Sequence, residues 1–220
     1  MRGPRLGTSY RRALLDAELA RLAPDLTGIV LDVGGKRVPR GSFRRQEERA
    51  RRWILLNMDA AERPDVIANA ETLPLRCGCV DRIVCTEVIQ YVDRYEDMLE
   101  EFARVLVPGG RIVLSAPLLH RPDHPLDRHR FSAARLVELL DRAGLRVEVV
   151  SQQGRFFTSL AHMLRQATAQ VGSRPLRALA ALPVLPLGAL LLAVDRLPGV
   201  ARSPFLSSYA TGYLVTARKP

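Results

Sequence analysis

Apolar residues recur along this chain in two rhythms, and their alternation sketches an architecture. Leu14, Leu15, Leu19 and Leu22 stand at helical spacing among charged positions and stop before Pro24, which predicts a leading helix over residues 10–23. Short runs rich in β-branched residues follow at Gly28–Val33, Trp53–Met58, Asp65–Ala68, Arg82–Thr86 and Arg111–Ser115. Strands that are nearly all apolar are buried on both faces, as in a parallel sheet. Between the last two runs, Met98, Leu99, Phe102, Val105 and Leu106 mark one face of a helix over Tyr95–Val107, stopped by Pro108-Gly109-Gly110. Ser132 is a suitable N-cap for a helix reaching about Ala143, with Gly144 to end it. Leu145–Val150 reads as a sixth strand and Gly212–Ala217 as a seventh. Strand–helix alternation of this kind predicts an α/β doubly wound sheet.

The connection between the last two strands is too long for a turn. Residues 155–171 fit an amphipathic helix, and Ala178–Val194 then runs 17 residues without a charge, interrupted by Pro183 and Pro186. Fully helical, that run would extend about 26 Å, short of a ~30 Å hydrocarbon core. Three readings stay open: a single span, a helix pair buried in protein, or a re-entrant or interfacial membrane segment. The last would be flanked by Arg174, Arg177, Arg196 and Arg202 against an anionic surface. The expected organisation is an N-terminal helix over 1–27, a sheet domain over 28–151 plus 211–220, and an apolar cap or docking insertion over 152–210.

Length and composition narrow this picture. A chain of 220 residues, 47% hydrophobic and 25% charged, can bury a core and is not wholly disordered. Its net charge of +10 is a weak clue to function, because Lys36 and Lys219 are the only lysines and the arginine excess fits a GC-rich coding sequence. The distribution says more. Residues 36–52 carry +6, residues 53–110 carry −6, and residues 111–220 carry +9. Cys77, Cys79 and Cys85 form an odd cluster without the two-pair spacing of a zinc site, which predicts a reducing, cytoplasmic setting. The N-terminal stretch is charged throughout and has no signal-peptide core. Docking of the insertion would place the chain peripherally on the inner face of the membrane.

In an open parallel sheet, ligands bind beyond the carboxyl ends of the strands. There stand Asp32-Val33-Gly34-Gly35 after the first strand and Asp59 after the second, 27 residues on from Asp32. A carboxylate at the latter point can accept two ribose hydroxyls. Asn69-Ala70-Glu71-Thr72-Leu73-Pro74 and Thr86-Glu87-Val88 follow the third and fourth strands. Together with Val30–Gly34, Asp81–Val88 and Arg104–Ser115, these residues resemble the class I S-adenosylmethionine-dependent methyltransferases, in particular the type 11 group, over about Gly28–Ser151. The resemblance implies a Rossmann-like doubly wound, mostly parallel seven-stranded sheet with an α-helical insertion before the last strand. S-adenosyl-L-methionine is the implied cofactor. Asp32, Gly34 and Gly35 would line its methionine end, Asp59 its ribose, and Asn69 and Ala70, followed by Glu71, its adenine. Thr86 and Glu87 would border it beneath the substrate. Two departures stand out: Lys36 replaces the usual third glycine, and Asn69 the usual aspartate.

The loop Leu119–Phe131 follows the fifth strand at the substrate end. It resembles a His/Asp/Arg stretch of methyltransferases that act on glycans and natural products. His124 or Asp127 would take a proton from an acceptor hydroxyl and Arg130 would fix the loop; equally, all three would brace a lid. His120, His124, Asp127 and His129 fit no standard zinc spacing, so no metal is expected. The expected reaction is methyl transfer to a small-molecule, lipid or glycan-linked acceptor at oxygen. RNA or protein methylation through the basic Lys36–Arg52 loop is the alternative enzyme reading, disfavoured because no aromatic platform is interleaved there. A non-catalytic, cofactor-binding scaffold is the other.

Overall fold

The computed structural model describes residues 9–38 and 41–220. The first eight residues of the leading segment, and Pro39 and Arg40 of the basic loop, lie outside them. Seven strands form one sheet: β1 (Gly28–Val33), β2 (Ala50–Asn57), β3 (Val66–Ile67), β4 (Val80–Thr86), β5 (Leu106–Pro117), β6 (Arg146–Gln152) and β7 (Gly212–Arg218). Their order across it is β3-β2-β1-β4-β5-β7-β6. All pairings are parallel except those of β7, which is antiparallel to both β5 and β6. The order steps outward from β1 in both directions, so the crevice at the β1/β4 boundary is the topological switch point.

Apolar residues on successive positions of the strands serve two cores. Leu31, Ile83, Cys85, Ile112 and Leu114 face one side, packed under Met98, Leu99 and Phe102 of α2 (Tyr95–Val105) and Leu136, Leu139 and Leu140 of α3 (Ala133–Arg142). Their neighbours Val30, Val84 and Val113 face the other, against Leu15 and Leu19 of α1 (Tyr10–Leu22). The period of two along each strand therefore explains why the runs have no polar face.

Two local expectations are revised. Pro108-Gly109-Gly110 does not form a free turn; it is drawn into an irregular start of β5. There Gly109 N–H donates to the Lys219 carbonyl and Lys219 N–H to that of Gly110. The third strand shrinks to two residues. Asp65 caps β2 instead, one oxygen accepting from Leu55 N–H at 2.8 Å and the other from Arg37.

The insertion holds α4 (Phe156–Ala169), α5 (Arg174–Val194), α6 (Pro198–Arg202) and α7 (Pro204–Ser207). α5 passes through Pro183 and Pro186 as one continuous helix packed along α4. Gly188 on its inner side is buried against the Tyr10 hydroxyl, where a Cβ would come within 2.3 Å. Asp195, just past its end, is buried and caps α4: its carboxylate accepts from Arg155 N–H (2.7 Å), Phe157 N–H (3.1 Å) and the Thr158 hydroxyl (2.7 Å). Asp195→Ala leaves three donors unpaired, the Thr158 hydroxyl buried and the two N–H groups partly so. Thermal unfolding should show a loss of about 3 kcal/mol, with limited proteolysis opening the α4–α5 connection first.

Candidate active site

A cavity of about 480 Å³ opens at the carboxyl ends of β1, β2 and β4, within the ordinary range for small-molecule sites. It gathers Asp32, Gly34, Gly35, Asp59, Asn69, Ala70, Thr86 and Glu87 on one continuous wall. Separate stretches of chain meet here because each strand of a parallel sheet delivers its following loop to the same edge.

Asp32 stands at the end of β1 with its carboxylate held by Trp53 Nε1 at 3.3 Å and by Arg45 Nη1 at 3.8 Å. Burial pushes its pKa up to about 6, against the pull of Trp53 and Arg45. Gly34 turns the chain at φ +72°, and its N–H donates to the Leu56 carbonyl at 2.8 Å. A Cβ on Gly35 would lie 2.7 Å from the Asp32 carboxyl carbon, so both glycines keep the floor low beside the acid. Lys36, the residue in place of a third glycine, pairs its ammonium with Glu62. Its charge is thereby matched inside the wall.

Asp59 is exposed at the end of the β2 loop. One oxygen accepts from Ala61 N–H at 2.9 Å, and the other has no partner among the described residues. Asn57, which the sequence did not single out, positions both neighbouring groups. Its amide donates to the Gly35 carbonyl (3.1 Å) and its oxygen accepts from Asp59 N–H (3.0 Å). Asn69 turns its side chain onto Glu71, its oxygen accepting from Glu71 N–H and its amide donating to a Glu71 carboxylate oxygen. Glu71 is absent from the cavity wall; Arg94 N–H and guanidinium hold it, and its pKa, below the ordinary carboxylate range. Glu71 is thus a brace of the adenine-side loop.

At the other end, Glu87 adopts φ +60° after β4. One of its oxygens accepts from the Ser115 hydroxyl at 3.1 Å, and the other pairs with Arg11 of α1. Burial lowers the Arg11 pKa to about 10, so it stays cationic at neutral pH. The roof comes from Tyr91 and the loop residues Asp123, His124 and Leu126. The Tyr91 hydroxyl donates to Asp123 at 2.8 Å, and burial with that bond raises its pKa to about 12.

The two residues expected to handle a proton are differently placed. His124 lines the cavity, but its Nδ1 accepts from Leu126 N–H at 3.2 Å, which leaves Nε2 as the protonated nitrogen of the neutral ring. Asp127 is buried off the wall, and both its oxygens are clasped by Arg130. Burial alone would raise its pKa; Arg130 and Asp123 N–H hold it below the ordinary value. His124 and Asp127 therefore match the lid-bracing arrangement, and Asp123 is the loop carboxylate that faces the cavity. Arg11, Asn57 and Tyr91 had no motif to mark them, and Asp123 lay in the Leu119–Phe131 loop beside the residues singled out there.

The residues present fit a ligand that is cationic at one end and carries adjacent hydroxyls at the other. A buried carboxylate stands over a floor that a Cβ would crowd, and a carboxylate oxygen without a protein partner lies one loop away. Residues 42–114 match the family model for the type 11 methyltransferase domain. A "probable S-adenosylmethionine-dependent methyltransferase" of Mycolicibacterium smegmatis is 34% identical over 116 residues, a match that spans less than half of either chain, 45% of each. A SAM-dependent methyltransferase from Archaeoglobus fulgidus superposes with a TM-score of 0.58 at 16% identity, covering 94% of each chain. Geranyl diphosphate C-methyltransferase from Streptomyces coelicolor, solved with S-adenosyl-L-homocysteine, gives 0.57 at 14% identity, covering 94% of this chain and 80% of that one. At such identities the structural likeness establishes the fold, a Rossmann-like doubly wound sheet.

Proposed function

We propose that this chain, which carries a methyltransferase domain of the class I S-adenosylmethionine-dependent family, methylates a hydroxyl oxygen on a small-molecule, lipid or glycan-linked acceptor. The observation that carries this reading is the single cavity that joins the Asp32/Asp59 wall to the Tyr91–Asp123–His124 roof. When bound, the cofactor supplies an electrophilic methyl on a cationic sulfur. Asp32 receives its ammonium end, Asp59 its ribose hydroxyls, and the backbone at Ala70 frames the base. Tyr91, His124 and Leu126 exclude water above it, and Asp123 orients the acceptor hydroxyl. The Asp123 carboxylate would take the proton that the acceptor hydroxyl gives up and pass it to water. Proximity and desolvation supply most of the rate, with a smaller part from the base.

Ion pairs disfavour the nucleic-acid alternative. Lys36 is paired with Glu62, Arg37 with Asp65 and Arg45 with Glu47, so these cations of the basic loop already have partners. Methyl-labelled S-adenosylmethionine incubated with cell extract tests the reading. Label is expected in the organic-soluble or glycan fraction, and label confined to nucleic acid or protein overturns it. Asp123→Asn should lower incorporation about tenfold to a hundredfold while calorimetry shows unchanged cofactor affinity.

A further inference from the structure

We infer that α5 lies flat in the surface of an anionic lipid bilayer and anchors the chain there. A helix on the outside of a water-soluble fold turns a polar face to solvent. α5 does not. Its most apolar stretch of 18 residues has a mean hydropathy of 2.0, and only 11% of that stretch is buried. Leu176, Leu179, Leu182 and Leu190 recur at three-, three- and eight-residue steps along the outer side and are 58–68% exposed. Leu197 and Phe205, in the segment that follows the helix, are exposed as well. Exposed apolar area of this extent marks a site of association.

Charge identifies the partner. From Ser151 to Pro220 the chain holds eight arginines and lysines and one acid, Asp195. That acid is buried and consumed in capping α4. The accessible charges that this segment itself contributes are therefore all cationic, with exposed Arg174 and Arg177 at one end of α5 and exposed Arg196 and Arg202 beyond the other. A second copy of the chain would bring the same arginines against them. An anionic bilayer satisfies both demands, taking the leucines below the headgroups and the arginines among them.

The tertiary contacts select lying over spanning. α5 is long enough to cross a bilayer by length and composition. Yet its inner side runs along α4, Gly188 is seated on Tyr10 of α1, and Asp195 is tied to the start of α4. Its middle and its C-terminal end are thereby held to α1 and α4, so the outer side is the one left available to lipid. The inference stands independently of methyl transfer.

Flotation of the full chain with vesicles of phosphatidylcholine alone, or of phosphatidylcholine and phosphatidylglycerol in equal parts, tests it. The wild type should float with the anionic vesicles only and be released by high salt. Substituting Arg174, Arg177, Arg196 and Arg202 by glutamine should weaken binding about fivefold per residue. Leu179→Glu with Leu190→Glu, both at exposed positions, should abolish flotation while circular dichroism and S-adenosylmethionine binding stay as in the wild type. Wild-type chain that ignores both vesicles overturns the inference, as does anionic binding that survives the two glutamates. A concentration-dependent dimer that the glutamates dissolve, without vesicle binding, assigns the face to a second copy instead.

Discussion

Gly34→Ala is expected to weaken S-adenosylmethionine binding by a hundredfold or more. Gly34 sits at φ +72°, where a residue with a Cβ carries about 1–2 kcal/mol of backbone strain. The added carbon would also come within 2.3 Å of Val88 Cγ2. Val88 is a short branched side chain that itself lines the cavity next to Glu87, so it has little room to yield. Relief has to come from the turn, which is pinned by the Gly34 N–H to the Leu56 carbonyl, or from the Glu87–Val88 loop. Either movement displaces the cavity wall on the side expected to hold the cofactor. A hundredfold corresponds to about 2.7 kcal/mol, within reach of strain and clash together. Titration calorimetry measures it, and Gly109→Ala is the control. Gly109 has φ +75° with open space around it, so alanine there should cost stability and leave affinity alone. Wild-type affinity in Gly34→Ala would remove the turn from the cofactor site.

Asp32→Asn should weaken cofactor binding about tenfold to a hundredfold near pH 8 and abolish its pH dependence. Burial raises the Asp32 pKa to about 6, so in the free chain the carboxylate is charged above that pH and neutral below it. A cationic ligand binds the charged form. Wild-type affinity should therefore be flat above about pH 6 and fall by up to tenfold for each unit below it. Binding at pH 5 should release a proton, visible as a buffer-dependent heat. Folding stability carries the opposite sign. An acid whose folded pKa is raised favours the unfolded chain as pH climbs, so Asp32 costs stability progressively between about pH 4 and pH 6. The asparagine variant escapes that cost and should be more stable than the wild type at neutral pH, by roughly 1–3 kcal/mol. Weaker binding together with higher stability is the signature of a buried functional charge. An affinity that stays flat down to pH 5 in the wild type would show that Asp32 does not face the cationic end.

Much of the framework was legible because it follows from local rules. The two-residue period of Val30/Leu31, Val84/Cys85 and Val113/Leu114 marks strands with cores on both sides. The three-and-four spacing of Met98, Leu99 and Phe102 marks α2. Strand ends in a parallel sheet converge, and a single cavity collects Asp32, Gly34, Gly35, Asp59, Asn69, Ala70, Thr86 and Glu87 from the ends of four runs, while Glu71 and Asp127 stand off its wall. Side-chain roles at those places were less legible. Asn69 and Glu71 close on each other, and Asp127 is neutralised by an arginine three residues away. Each is a polar residue in a promising loop whose hydrogen-bonding capacity is spent nearby. The residues that complete the roof have no spacing relationship at all. Tyr91 and Asp123 meet across 32 residues, and Arg11 reaches Glu87 from the leading helix.

The sequence by itself determined the strands, the helices that cover them, the edge on which the cavity opens and the apolar, arginine-flanked character of the insertion. Periodicity and composition are properties of neighbouring residues, and burial acts on them wherever the chain goes. Only the tertiary structure decided which charges cancel, which nitrogen of His124 is free, and which side of α5 meets water. Those outcomes depend on partners brought together from distant segments: Glu62 to Lys36, Asp195 to the start of α4, and Tyr10 to Gly188. A side chain becomes available for chemistry or docking only when no such partner reaches it, and a linear pattern cannot encode that absence.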